Sequence, residues 1–230
     1  MRGKYFAVSK GLVISLSILG ITFLHAQKPI DSSYNNTYYQ GRMELFESLG
    51  GQNKAIVFLG NSITERGQWH ELLPGKKIMN RGIGGDNTFG VLARLDDVIK
   101  YKPEKIFLLI GINDIGRGLP VEVIANNYEK IIDRIKINAP KSILYVQGVL
   151  PMNETLLKAD YLKNKKDSVL KLNDAIKSLA IAKGVRYIDL HPVFANEQGE
   201  LKAAFTVDGI HLKPVAYVAW VAFLKREKYL

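Results

Sequence analysis

The chain is predicted to fold as an α/β protein, a three-layer α/β/α sandwich around a five-stranded parallel sheet. Three observations carry that expectation. Short apolar runs without polar alternation recur, Ile56–Leu59 and Ile106–Ile110 being the clearest, and such runs belong to strands buried on both faces. Segments with apolar residues at helical spacing separate them. The 230 residues, 47% hydrophobic and 23% charged, suit one domain with a single core.

Taken in order, residues 27–52 read as a polar arm rich in Ser, Asn and Tyr, then a short helix carrying Met43, Leu45, Phe46 and Leu49 that Gly50-Gly51 stops. The folded domain is expected over 53–230. Its first strand runs over 55–60, its second over 77–80, and a single helix follows from Thr88 to Ile99 with Val91, Leu92, Leu95, Val98 and Ile99 on one face. A third strand covers Ile106–Ile110. Pro120 opens a long helix, marked by Val121, Ile124, Tyr128, Ile131 and Ile135, that ends at Pro140. Strand four is Ser142–Val146. Residues 154–165 form a charged surface excursion, and a helix bearing Val169, Leu172, Ile176 and Leu179 then runs to Gly184. Strand five is Val185–Leu190, and a core helix after Pro214 closes the sequence.

Residues 1–26 read as a secretory signal peptide. Arg2, Lys4 and Lys10 precede an apolar run, Gly11–Leu24, and His25-Ala26-Gln27 supplies a small-residue cleavage site near Ala26. That run of 14 residues falls short of the ~20 that a spanning helix needs, so no membrane span is expected after cleavage, an uncleaved anchor being the alternative. The expected location is therefore periplasmic or secreted. There is no cysteine, hence no disulfide and no thiol for a lipid anchor. The net charge of +10 is spread along helices rather than clustered, and no nucleic-acid motif accompanies it, so no nucleic-acid partner is expected.

Four polar features fall at strand ends or beyond the last strand: Ser62, the loop Gly84-Gly85-Asp86, Asn113, and the pair Asp208/His211. In a parallel sheet those ends share one edge, where α/β proteins place ligands. Singly, each has a plain reading as a turn or a helix cap. Jointly they supply what ester hydrolysis needs: a hydroxyl nucleophile, an imidazole base, a carboxylate to orient it, and donors for an oxyanion. His70 and His191 compete with His211 as base, and His191 is the stronger rival because Asp189 lies close before it. Trp69, Gln147, Asn153 and Tyr161 are candidates for shaping a pocket, with core, cap or surface roles as the alternative for each.

These residues resemble the SGNH hydrolases, the GDSL-type esterase/lipase family, over nearly the whole span from Ile56 onward. Gly60-Asn61-Ser62-Ile63-Thr64 looks like the block that carries the nucleophilic serine, with Asn61 where the eponymous motif has Asp. Asn80-Arg81-Gly82-Ile83-Gly84-Gly85-Asp86 looks like the second block, whose oxyanion glycine falls on Gly85. Gly111-Ile112-Asn113-Asp114 matches the third block and Asp208-Gly209-Ile210-His211 the fifth, which makes His211 the base. The resemblance implies a flavodoxin-like sandwich and a serine esterase with Ser62, Asp208 and His211 as catalytic residues. Ser62, Gly85 and Asn113 would form the oxyanion hole, without metal or organic cofactor. The Asn-x-Gly-x-Gly-Gly-Asp pattern is similar to that of platelet-activating factor acetylhydrolase-like members, which implies short acyl groups. O-acetyl esters on carbohydrate, such as sialic acid or plant glycans, are the expected substrates. A lysophospholipase or short-chain lipid esterase is the alternative within the fold, and a non-catalytic glycan-binding domain the alternative outside the class. The spacing after Gly82 does not fit a dinucleotide loop, and no phosphate-loop Lys-Ser/Thr follows it.

Overall fold

The computed structural model describes residues 30–230, with Met1 and Gly3 besides. The signal peptide expected over residues 1–26 and the start of the arm lie outside the described residues. Within Asp31–Leu230 five strands form one parallel sheet in the order β2-β1-β3-β4-β5. They are β1 Ile56–Gly60, β2 Ile78–Gly82, β3 Lys105–Leu109, β4 Ile143–Gln147 and β5 Arg186–Ile188. Every residue of β1 is buried, as its unbroken apolar run requires for a strand covered on both faces.

β2 runs two residues past its expected end, because Arg81 and Gly82 continue the ladder opposite Leu59 and Gly60 of β1. β5 is shorter than expected. It is an edge strand that pairs only with Tyr145–Gln147 of β4, and Leu190 already caps the next turn. Register is pinned by rings. Phe58, Phe107 and Tyr145 are cross-strand partners on β1, β3 and β4 and stack with centroids 5.1 and 4.7 Å apart. Such pairs add roughly 0.5–1.5 kcal/mol each beyond the area they bury. Trp69 lies flat on Phe58 at 3.8 Å, and Trp220 of the helix Pro214–Arg226 meets Trp69 edge-on at 5.2 Å. The opposite layer holds the helices Val121–Asn138 and Lys166–Ala182.

The single helix expected over 88–99 is instead two, Thr88–Ala93 and Leu95–Ile99. Arg94 sits at the break with φ −103° and ψ 9°, because its guanidinium turns inward and bonds buried oxygens. The first helix starts earlier than expected, at Thr37, where Asn36 caps it by accepting from Tyr39 N–H at 2.9 Å. It borders β2: Arg81 Nη2 donates to Gly50 O at 2.7 Å, and its guanidinium stacks on Phe46 at 4.5 Å. No helix among the described residues is long and apolar enough to cross a membrane.

Candidate active site

β1 ends at Gly60 and hands the chain to a four-residue helix, Ser62–Glu65. The residue that caps this helix is Asn61, whose Oδ1 accepts from Ile63 N–H at 3.0 Å. Ser62 is thereby released from capping. Its hydroxyl lies 2.9 Å from His211 Nε2, across 149 residues of sequence. Asn61 is fully buried, and its Nδ2 meets no acceptor among the described residues.

His211 is delivered by a self-bonded turn. Thr206 Oγ1 donates to His211 O at 2.9 Å and accepts from Gly209 N–H at 2.9 Å. Asp208 divides its carboxylate between two tasks. Oδ1 accepts from the N–H groups of Ile210 at 3.1 Å and His211 at 2.8 Å, which makes the turn. Oδ2 takes the ring Nδ1 of His211 at 2.7 Å, which aims Nε2 at the serine. Burial pushes the Asp208 carboxyl upward, but the bonds from the His211 ring and from the His211 and Ile210 N–H groups outweigh it, and the group sits below the ordinary carboxylate value.

Beside Ser62, the loop after β2 is tied to β1 through Ile83 N–H and Gly60 O at 3.0 Å, and it closes on itself through Asp86 N–H and Ile83 O at 3.1 Å. Gly85 takes φ +76° in that turn, a conformation costly for any residue with a Cβ. Among the described residues neither Gly85 N–H nor Ser62 N–H meets a protein acceptor. Asn113 follows β3, and its Nδ2 donates to Asp86 O at 2.8 Å, which orients the amide and leaves its second hydrogen unused by that bond. The strand order sets these three loops side by side, since Gly60 pairs with Gly82 on one side and Leu109 on the other.

A buried polar frame, absent from the sequence reading, holds those loops. Arg94 Nε and Nη2 reach Asp86 Oδ2 at 3.0 and 2.8 Å, while Nη1 donates to Arg81 O at 2.9 Å and Nη2 to Gly60 O at 3.0 Å. One guanidinium thus joins the ends of β1 and β2 to the glycine loop. Burial pushes the Asp86 carboxyl up and the Arg94 charge opposes it. Asp114 is fully buried and accepts from Thr88 N–H at 3.0 Å and Thr88 Oγ1 at 2.5 Å, with Asn127 Nδ2 donating to the same hydroxyl at 2.9 Å. The available signal was a charge on an apolar face: Arg94 interrupts Val91, Leu92, Leu95 and Val98.

Among the described residues neither rival histidine bonds Ser62. His70 is exposed, and His191 follows β5, its Nδ1 3.8 Å from Asp189 Oδ1. Burial holds the His191 ring below the usual histidine value. Of the pocket candidates, Trp69 is core and donates to Thr64 O at 2.8 Å, and Gln147 is core and accepts from Trp220 Nε1 at 3.0 Å. Asn153 caps the turn Glu154–Leu156, and Tyr161 is exposed. A cavity of about 660 Å³ lies along β2, lined by Arg42, Glu65, Asn80 and Arg81 but not by Ser62. Among the described residues no three His, Cys, Asp or Glu side chains cluster to ligate a metal.

A model of the GDSL-like Lipase/Acylhydrolase family matches residues 58–219. The Homo sapiens platelet-activating factor acetylhydrolase IB subunit alpha2 is 30% identical over 169 residues, 70% of each chain. Among solved structures, a candidate platelet activating factor from Streptococcus pneumonia superposes with TM-score 0.73 at 31% identity, covering 83% of this chain and 90% of that one. The acetylxylan esterase Axe2 of Geobacillus stearothermophilus shares the fold, with TM-score 0.61 at 19% identity over 76% and 94% of the two chains. Family match and fold agree, and the chain belongs to the GDSL-like lipase/acylhydrolase (SGNH hydrolase) family and is a carboxylic ester hydrolase.

Proposed function

We propose that this chain is an exported serine esterase that removes short acyl groups, O-acetyl above all, from carbohydrate. The observation that carries the mechanism is the pair of contacts Ser62 Oγ to His211 Nε2 at 2.9 Å and His211 Nδ1 to Asp208 Oδ2 at 2.7 Å. Ser62 attacks the ester carbonyl and passes its proton to His211. Asp208 fixes the tautomer and stabilises the imidazolium that forms. Negative charge on the former carbonyl oxygen is received by Ser62 N–H, Gly85 N–H and Asn113 Nδ2. His211 then protonates the departing alcohol. In the second half-reaction it activates the water that splits the acyl-enzyme and regenerates Ser62.

Acetyl preference is supported by the 30% identity to an acetylhydrolase. A polar alcohol is supported by the polar lining of a hollow of about 90 Å³ formed by Ser33, Tyr34, Asn35, Asn36 and Arg117, the last on the segment that follows Asn113. The same relationship to platelet-activating factor acetylhydrolase favours a second reading, an acetylated lipid as substrate. Export rests on the leader-like pattern over residues 1–26, and the proposed working domain spans 53–230.

The test is initial hydrolysis of p-nitrophenyl acetate by the protein beginning at Gln27 and by its Ser62→Ala variant from pH 5 to 9. Turnover by the former and background rates in the latter support the reading. Background rates from both, on acetate and on longer esters, would leave a non-catalytic glycan-binding domain. An acyl-length series and a comparison of acetylated xylo-oligosaccharide with an acetylated lipid then separate the two substrates, and rates that climb with acyl length refute the acetyl preference.

A further inference from the structure

The segment that precedes the sheet reaches into the site. β2 and the helix of Ser62 touch backbone to backbone, since a Cβ on Gly82 would lie 2.1 Å from Glu65 N. Asn80 bridges them, its Nδ2 donating to Glu65 O at 2.9 Å and its Oδ1 accepting from Gly82 N–H at 2.9 Å. The Glu65 side chain extends the junction outward to the first helix. Its Oε1 accepts from the Tyr38 hydroxyl at 2.5 Å and lies 3.1 Å from Arg42 Nε, an ion pair whose N–H points off the line to the oxygen. Arg42 Nη2 in turn donates to Gly82 O at 3.3 Å.

Gly84, the neighbour of Gly85, sits in the angle between these groups. A Cβ there would come within 3.1 Å of Glu65 Oε2 and 3.3 Å of Tyr38 Cε1. The arm before the helix repeats the pattern further along the rim. Ser33 O accepts from Asn87 Nδ2 at 2.9 Å and also from Arg117 Nη1, and Tyr39 OH donates to Gly90 O at 2.9 Å. Residues 33–42 therefore touch the segments that follow β1, β2 and β3.

We propose that Tyr38 and Glu65 are positioning residues of the oxyanion hole, and that the catalytic unit begins with the first helix, Thr37–Leu49, rather than at residue 53. The clamp holds Gly82–Gly85 against the nucleophile's helix and so sets where Gly85 N–H points. This rests on the role proposed for Gly85. An oxyanion donor works over a few tenths of an ångström, and a displacement of about 1 Å costs on the order of 100-fold. Loss of one clamp bond, with the frame of Arg94 intact, corresponds to a partial displacement and a loss of about 10-fold.

The experiment compares Tyr38→Phe, Glu65→Ala, Glu65→Gln and Asn113→Ala with the parent protein. It reads kcat and KM on p-nitrophenyl acetate, and the inhibition constant of an alkyl trifluoromethyl ketone. Addition of Ser62 Oγ to that ketone leaves a stable oxyanion in the hole, with the serine proton on His211. Tyr38→Phe removes one oxygen from a half-exposed ring, so folding is expected to be unchanged, and the melting temperature checks this. The expected result is kcat lowered about 10-fold in Tyr38→Phe and Glu65→Ala, KM within twofold, and the ketone weakened by the same factor as kcat. Glu65→Gln, which keeps an acceptor for the phenol, should recover most of the loss. The midpoint of the acid limb should not move, since the triad is untouched. A kcat within twofold of the parent in Tyr38→Phe, or a loss confined to KM, or an unweakened ketone, overturns the clamp. If Asn113→Ala is also without effect on rate and ketone, the oxyanion reading itself fails. If Asn113→Ala is impaired and Tyr38→Phe is not, only the clamp fails.

Discussion

Replacing Asp208 by Asn isolates one of the carboxylate's two tasks. The new amide has an oxygen and an NH2 where two oxygens stood, and the structure decides which goes where. With the oxygen in the place of Oδ1, the bonds from Ile210 N–H and His211 N–H, now 3.1 and 2.8 Å, survive. The reverse orientation sets NH2 against two N–H donors and forfeits both bonds, about 1–1.5 kcal/mol each before repulsion. The first orientation therefore wins by at least ~2 kcal/mol, and the NH2 faces His211 Nδ1. The ring must then accept at Nδ1 and carry its proton on Nε2, which removes the acceptor that Ser62 needs. The same tautomer error in a Ser-His-Asp protease lowers kcat by about 10⁴, or ~5.5 kcal/mol in the barrier. Asp208→Asn should thus lose on the order of 10⁴ in kcat on p-nitrophenyl acetate while keeping its melting temperature within a few degrees. Asp208→Ala should lose the activity and, with the turn bonds gone, a further ~2–3 kcal/mol of stability in urea titration. An Asp208→Asn variant that keeps more than a tenth of the parent kcat would refute the assignment. The carboxyl is depressed in the folded protein, so its contribution to stability is complete above the unfolded carboxylate range near 3.8 and drains away as pH falls below it.

Arg94→Met should destabilise the protein by about 3–5 kcal/mol in denaturant titration, because it strands the buried Asp86 carboxylate. Burial already pushes Asp86 up, so stability should fall as pH rises above the unfolded carboxylate value, a slope that vanishes if Asp86 is exposed. Gly82→Ala puts a Cβ 2.1 Å from Glu65 N, against backbone that has nowhere to go. The expected cost is about 1–3 kcal/mol or more together with a loss of activity, and an unchanged melting temperature would contradict it. His191→Asn should keep activity within twofold of the parent on p-nitrophenyl acetate, and a collapse to background would transfer the base to His191. Because burial lowers the His191 ring below its unfolded value, its contribution to stability is present above about pH 6.5 and lost as pH falls, a slope that the variant should lack.

The sheet was readable because each strand is a local object. Ile56–Leu59 and Ile106–Leu109 announce themselves by composition alone, and the parallel order follows from the helices between them. The contact between Asp208 and His211, beyond the last strand, was readable for the same reason, since the two lie three residues apart and meet within one turn. What escaped depends on partners far along the chain. Arg94 reads as one more polar residue on a helix, and only the fold reveals that its targets are Gly60, Arg81 and Asp86. Helical periodicity carries Val91 and Leu95 smoothly past it, so the break was invisible. The polar composition of residues 31–36 reads as linker, although Ser33 bonds Asn87 across 54 positions. Asn61 differs: it and Ser62 are both residue types that cap helices, and only the bond from Ile63 N–H to Asn61 Oδ1 shows which of the two does so.

The protein has two tryptophans, Trp69 and Trp220, and both are at most 1% exposed and in edge contact with each other. One follows the segment that holds Ser62, and the other lies on the helix entered directly from His211, whose Tyr217 hydroxyl donates to Ile63 O at 2.7 Å. Both their meeting and the meeting of serine with histidine join residues about 150 positions apart, a long-range pairing of the kind that forms slowly. During refolding, the change in indole emission should rise with the same time course as esterase activity, which gives the enzyme a built-in optical clock for the moment it becomes competent.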